Sequence, residues 1–158
     1  MKYLEDDEGL KKFFSAFHLH AKPPPAVVID DFGDFFDERR CSEKYGNPRG
    51  RDMAMVRVLA LCCDAVTRAN EKAKCRLVLS DTHQGDMPRL LYIYKRWISS
   101  IFVIKGDGKG SFLLKETDVD ENDDQEKVRT AKFSTAFHYL QLEEIVEDDE
   151  SKLLLEYC

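Results

Sequence analysis

Two adjacent carboxylates, Asp30 and Asp31, follow the apolar run Ala26-Val27-Val28-Ile29. A short continuous run with β-branched residues predicts a strand buried on both faces, as in a parallel sheet. Such a strand delivers its aspartates at the C-terminal edge, where open α/β sheets place their ligands. An aspartate there can hold the water shell of a Mg²⁺ ion bound to nucleotide phosphates. Capping of the next turn by the same two residues fits the strand taken alone equally well. A second short run, Leu77-Val78-Leu79, ends on the polar residues Ser80-Asp81-Thr82.

Between these strands lies the one local basic patch. Arg39, Arg40, Lys44, Arg49 and Arg51 stand against a single Glu43, with Phe35, Phe36 and Tyr45 interleaved. Mobile basic loops with aromatics suit single-stranded nucleic acid, since charge tracks phosphates and rings stack on bases. A solvated loop that balances an acidic remainder has the same composition. The formal net charge of -6 opposes a protein that coats nucleic acid over its whole surface.

Other chemistry is missing or incomplete. A phosphate-cradling loop needs GxxxxGK[ST], and the nearest candidate, Gly106-Asp107-Gly108-Lys109-Gly110-Ser111, has the wrong spacing and reads as a hairpin turn. Asp118, Asp120 and Asn122 begin like a calcium loop, but Asp123 stands where that loop needs glycine and Arg129 where it needs glutamate. His18 and His20 point to different helix faces and have no partner at ligand spacing, so no metal site is expected. His83 follows the second strand, and no nucleophile–base pair is legible. The five cysteines show no CxxC spacing, and Cys62-Cys63 sits in an apolar helical run. Reduced thiols in an intracellular compartment are the expectation. No apolar run is long enough to cross a bilayer, and the start MKYLEDDEGL is no signal peptide. The chain is expected to be soluble, without membrane partners.

The elements that must position these residues follow from periodicity. Lys2–Leu4 can end a strand. Acidic Asp6, Asp7 and Glu8 open a helix whose apolar face is Leu10, Phe13, Phe14 and Phe17, and Pro23 to Pro25 stop it. Phe32 to Arg51 reads as irregular. Asp52 can cap a helix carrying Met55, Val56, Leu59, Cys62, Cys63 and Val66. A third amphipathic stretch covers roughly Pro88 to Trp97. Ile98–Ile104 and Ser111–Leu114 read as a hairpin, Asp118–Gln125 as an acidic loop with little reason to be ordered, and Ala131–Val146 as strand-like or mixed. Strands alternating with helices predict βαβ crossovers and a mostly parallel α/β sheet with antiparallel strands at its end. The 158 residues fit one domain, and an acidic stretch and Leu153-Leu154-Leu155 follow Val146.

In this order the chain resembles the RecA-like recombinase core from its third strand onward. The segments AVVIDDFGDFFDERRCSEKYGNPRGRDMAMVRVLALC, CRLVLSDTHQGD and YKRWISSIFVIKGDGKGSFLL look like the plant members of one recombinase-paralogue group. They are similar to the ATPase that partners a SWIM-domain zinc-binding protein in homologous recombination. The resemblance implies a partial RecA-like P-loop NTPase core over residues 1–146, with residues 147–158 as an acidic C-terminal tail. Asp30 would be the Walker B carboxylate and Asp31 its neighbour. Ser80, Asp81 and Gln84 would lie in the nucleotide-sensing segment, and Arg39, Arg40, Lys44, Arg49 and Arg51 in the first DNA loop, Asp37 to Arg51.

Two departures qualify the expected activity. The first strand, P-loop and second strand of the family core have no counterpart before Met1, as in a truncated form. The second DNA loop shrinks to about His83–Asp86. The resemblance therefore implies a nuclear accessory factor of homologous-recombination repair that binds single-stranded DNA, the SWIM-domain partner and recombinase paralogues. ATP and Mg²⁺ are implied for a full-length form, not for turnover by this chain. Two other classes stay open. One is a metal-dependent phosphotransfer enzyme, although a haloacid-dehalogenase-like DxD would need an aspartate where Phe32 stands. The other is a pure protein-interaction module.

Overall fold

The computed structural model describes residues 3–82, 88–117, 127–136 and 139–149. It is mixed α/β, with two sheets and two compact units, residues 1–93 and 94–158. The expected acidic loop 118–125 and the tail beyond residue 149 lie outside the described residues, as do Lys2, His83 and Gln84.

The first unit begins with α1 (Asp7–Ser15). The Asp6 side chain accepts the Gly9 amide at 2.9 Å, and Asp7 and Glu8 occupy the positive end of the helix. Leu10 and Phe14 are buried, as is Phe17 in the 3₁₀ turn that follows. The helix is shorter than the apolar pattern implied, and the described residues before it hold no strand. Beyond Pro25 the strand β1 spans Ala26–Ile29.

Phe32 to Arg51 is not the irregular loop expected. A 3₁₀ turn (Phe32–Phe35) leads into α2 (Glu38–Tyr45). Asp37 accepts the Arg40 amide at 2.7 Å and caps this helix, and Gly46 ends it in the left-handed region at φ 58°. Cys41 is the one buried side chain of α2. So weak an apolar stripe hides a helix from periodicity. The long helix α3 (Gly50–Asn70) starts two residues before Asp52, which sits in its first turn rather than at its cap. Met55, Val58, Leu59 and Cys62 are wholly inaccessible and form the core with Phe14, Phe17 and Phe32.

The strand β2 (Arg76–Leu79) pairs parallel with β1, and the α3 crossover joins them. Asn70 fixes the turn between α3 and β2, donating to Val66 and Cys75 carbonyls and accepting the Cys75 amide. Burial on both faces, expected of this strand, is not found. Ile29 is buried, but Val28 and Val78 lie opposite each other and are 67% and 48% exposed. The described helices reach only one face of the pair. The strands are also not mostly parallel: among the described residues there is one βαβ crossover, and β1–β2 forms a two-stranded sheet of its own.

A short helix, α4 (Pro88–Lys95), precedes the second sheet in sequence. That sheet, in the second unit, is an antiparallel meander of β3 (Ile101–Gly106), β4 (Ser111–Thr117), β5 (Lys127–Ala136) and β6 (Tyr139–Asp149). The glycine-rich run between β3 and β4 is the hairpin turn its spacing predicts. Asp107 Oδ1 accepts the Lys109 and Ser111 amides, and Gly108 and Gly110 take φ values of 71° and 95°. A bulge between Lys132 and Phe133 shifts the β5–β6 register. Residues 147–149, grouped with the tail by sequence, belong to β6.

Candidate functional site

Register brings the two polar strand ends together. With Ile29 opposite Leu79, Asp30 and Asp31 emerge beside Ser80, Asp81 and Thr82 at the C-terminal edge of β1–β2. The Ser80 hydroxyl donates to Asp30 Oδ1 at 2.5 Å and accepts the Asp31 amide at 3.0 Å. Thr82 donates to Asp31 Oδ1 at 2.8 Å, and Asp81 Oδ1 accepts the Gly33 amide at 3.1 Å. The backbone closes the same edge, as Phe32 donates to the Ser80 carbonyl and Ser80 to that of Ile29.

Asp31 is the only non-glycine residue described with positive φ, at 47°. An L-residue in that region is uncommon, though aspartate tolerates it better than most. Its side chain thereby turns to Thr82 rather than continuing the strand. Next to it, Gly33 has no room for a side chain, because a Cβ there would lie 2.6 Å from Asp81 Oδ1. These contacts fix the edge in one arrangement: three carboxylates, each engaged by a hydroxyl or amide, on an exposed rim.

That arrangement attracts cations and repels bare phosphate. Among the described residues no three His, Cys, Asp or Glu side chains converge to hold a metal ion. Phe32, two residues after Asp30, is fully buried, so no DxD pair faces the edge. ATP does not fit the residues present, since the sequence has no GxxxxGK[ST] to supply the amide cradle and the lysine. Gln84, expected in the same segment, lies outside the described residues.

The basic residues divide by role. Arg51 binds the site's own loop, donating from Nε to the Phe36 carbonyl at 3.1 Å and from Nη2 to that of Gly33 at 3.2 Å. Lys44 pairs with Glu8 and, at 3.7 Å, with Asp7, tying α2 to α1. Arg39 pairs with Glu43 along α2, with both side chains largely in solvent. Arg40 and Arg49 are exposed, and among the described residues their side chains have no hydrogen-bond or ion-pair partner. The aromatics are less available than their spacing implied. Phe36 is buried, and Tyr45 lies between Lys44 Nζ at 5.9 Å and the Arg57 guanidinium at 5.1 Å. Arg57 was not legible as part of this patch. It joins through the packing of α2 on α3, which no linear spacing reveals.

The described cysteines form no disulfide. Burial pushes the Cys62 thiol up to about 12 and also raises those of Cys41, Cys63 and Cys75, so none is poised as a nucleophile. No described helix is long and apolar enough to cross a membrane.

Neither protein-family models nor curated proteins match this chain.

Proposed function

We propose that this chain is an accessory factor of homologous-recombination repair, built on part of a RecA-like core and acting in the nucleus. It holds single-stranded DNA on the basic flank of α2 and the turn into α3, and works through contacts with a SWIM-domain partner and recombinase paralogues, not through ATP turnover. The observation that carries this reading is the juxtaposition at the β1–β2 edge. A Walker B-like Asp30-Asp31 meets a sensor-like Ser80–Thr82 across two parallel strands, and a basic helix follows the first of them.

The DNA-contacting set is narrower than composition implied. Arg40 and Arg49 are exposed, whereas Arg51 and Lys44 already hold the fold together. Arg39 joins the set at small cost, because an exposed i,i+4 pair is worth well under about 1 kcal/mol. Binding is weak and salt-sensitive, since a few arginines act against a net charge of -6.

The test is fluorescence anisotropy with a labelled oligo-dT strand at several salt concentrations. Wild-type chain binds, and Arg40→Ala/Arg49→Ala binds more weakly with a flatter salt dependence. Equal binding by both would remove this basic segment from the account. A separate assay covers catalysis: the purified chain with ATP and Mg²⁺ releases no phosphate above background, and sustained turnover would overturn the non-catalytic reading.

A further inference from the structure

The rings that composition offers for stacking are largely covered. Phe36 is buried and Phe35 half-buried. The Tyr45 ring carries the Arg57 guanidinium 5.1 Å from its centroid, with Lys44 Nζ at 5.9 Å. Both cations lie within the roughly 6 Å at which a ring attracts them. They differ in what they leave for a ligand. Lys44 is also paired with Glu8 and Asp7 on α1. Arg57 stands on α3 and is exposed, so its guanidinium is open on the side away from the ring. A guanidinium is planar and weakly hydrated and can stack on either face, whereas an ammonium is a compact point charge.

We propose that the Arg57 guanidinium, held over Tyr45, is the surface on which a base of the bound single strand stacks. The proposal rests on the basic segment being a single-strand site, and it names what that site selects: a strand with unpaired bases, in preference to any other polyanion. Arg40 and Arg49 supply charge for phosphates, and phosphate contacts carry no information about bases. A guanidinium plane meets the π-face that every base has, so it tolerates any sequence.

Preorganisation and position both favour Arg57. An arginine loses rotamer freedom when a ligand fixes it. Tyr45 holds the side chain before the strand arrives, so less is lost on binding. Tyr45 is the last residue of α2, and Arg49 is the N-cap of α3. At 1.5 Å per residue, Arg57 lies about 12 Å further along that helix. Residues 46–49, between Tyr45 and α3, are exposed throughout. One strand can therefore meet the charge of Arg49 and the plane of Arg57.

Anisotropy with two labelled strands of equal length tests this: oligo-dT, and an abasic strand with the same backbone charge. Wild type binds oligo-dT about tenfold more tightly than the abasic strand. Arg57→Lys keeps the charge and removes the plane. Its preference falls to about twofold or less, while its salt slope stays that of wild type. A lost phosphate contact would instead weaken both strands alike. Equal wild-type affinity for the two strands overturns the stacking role and leaves the basic segment as a charge-only site. A full preference retained by Arg57→Lys overturns it too. A wild type that binds neither strand overturns the single-strand reading itself, and the role of Arg57 with it.

Discussion

Ser80 holds the backbone and side chain of two successive aspartates with one hydroxyl, donating to Asp30 and accepting from the Asp31 amide. Removing it strips both bonds at a partly solvated edge. Ser80→Ala should therefore cost about 1–2 kcal/mol of unfolding free energy, measured by urea denaturation. A change within about 0.3 kcal/mol would mean that the hydroxyl does not organise the edge. The thiols make a second residue-scale prediction. In Cys158→Ser, leaving Cys41, Cys62, Cys63 and Cys75, a thiol reagent at pH 8 should label the native chain slowly and the unfolded chain fully. Rapid native labelling of two or more thiols would contradict the burial that raises them. At this scale the sequence was informative about which residues meet: apolar runs ending in Asp30-Asp31 and Ser80-Asp81-Thr82 announce two strand tips. It was silent on who bonds whom, because the Asp31 left-handed turn and the Asn70 clasp depend on contacts across about 50 and 5 residues respectively.

Elements were legible where apolar periodicity was strong. β1 and α3 follow from their hydrophobic residues, and the β3–β4 hairpin follows from its glycines. The helix α2 escaped because it buries little beyond Cys41, and its capping pair Asp37 and Gly46 is a weaker signal than an apolar stripe. Its packing on α3 is nonetheless tight. A Cβ at Gly50 would lie 2.2 Å from the Cys41 carbonyl oxygen, so Gly50→Ala must push the two helices apart. The expected loss is about 2–3 kcal/mol, seen as a lowered Tm; an unchanged Tm would refute the contact. The tie from α2 to α1 depends on pH. The Lys44 hydrogen bond, then Lys11, holds the Glu8 carboxyl below its ordinary 4.5. A depressed carboxylate adds stability above its unfolded value and loses it as pH falls through the folded one. Glu8→Gln should thus cost up to about 1 kcal/mol at pH 7, discounted for Glu8's exposure, and nothing once both forms are protonated near pH 2. An equal loss at both pH values would contradict the ion pair.

At the scale of the molecule, a mostly parallel sheet was the wrong inference from a correct alternation of elements. The described chain contains one βαβ unit, and its remaining strands return by hairpins. Alternation in sequence limits which strands can be parallel but does not count how many share a sheet. Two apolar surfaces stay exposed as a result, at the Val28–Val78 pair and at Phe102, Ile104 and Ile145 of the second sheet. Such surfaces are where partners dock. The acidic β1–β2 edge and the basic α2 flank then give the first unit two surfaces of opposite charge, only one of which suits a phosphate backbone.

The central claim, that the exposed arginines of α2 and of the turn into α3 bind single-stranded DNA, is tested most directly by the salt slope of binding. Each phosphate contact released from a single strand changes the slope of log K against log salt by about 0.7. Arg40→Ala/Arg49→Ala should therefore flatten the wild-type slope by about 1.4, while its thermal stability stays within a degree or two of wild type. A wild-type chain without measurable DNA affinity, or a double variant with an unchanged slope, would contradict the account.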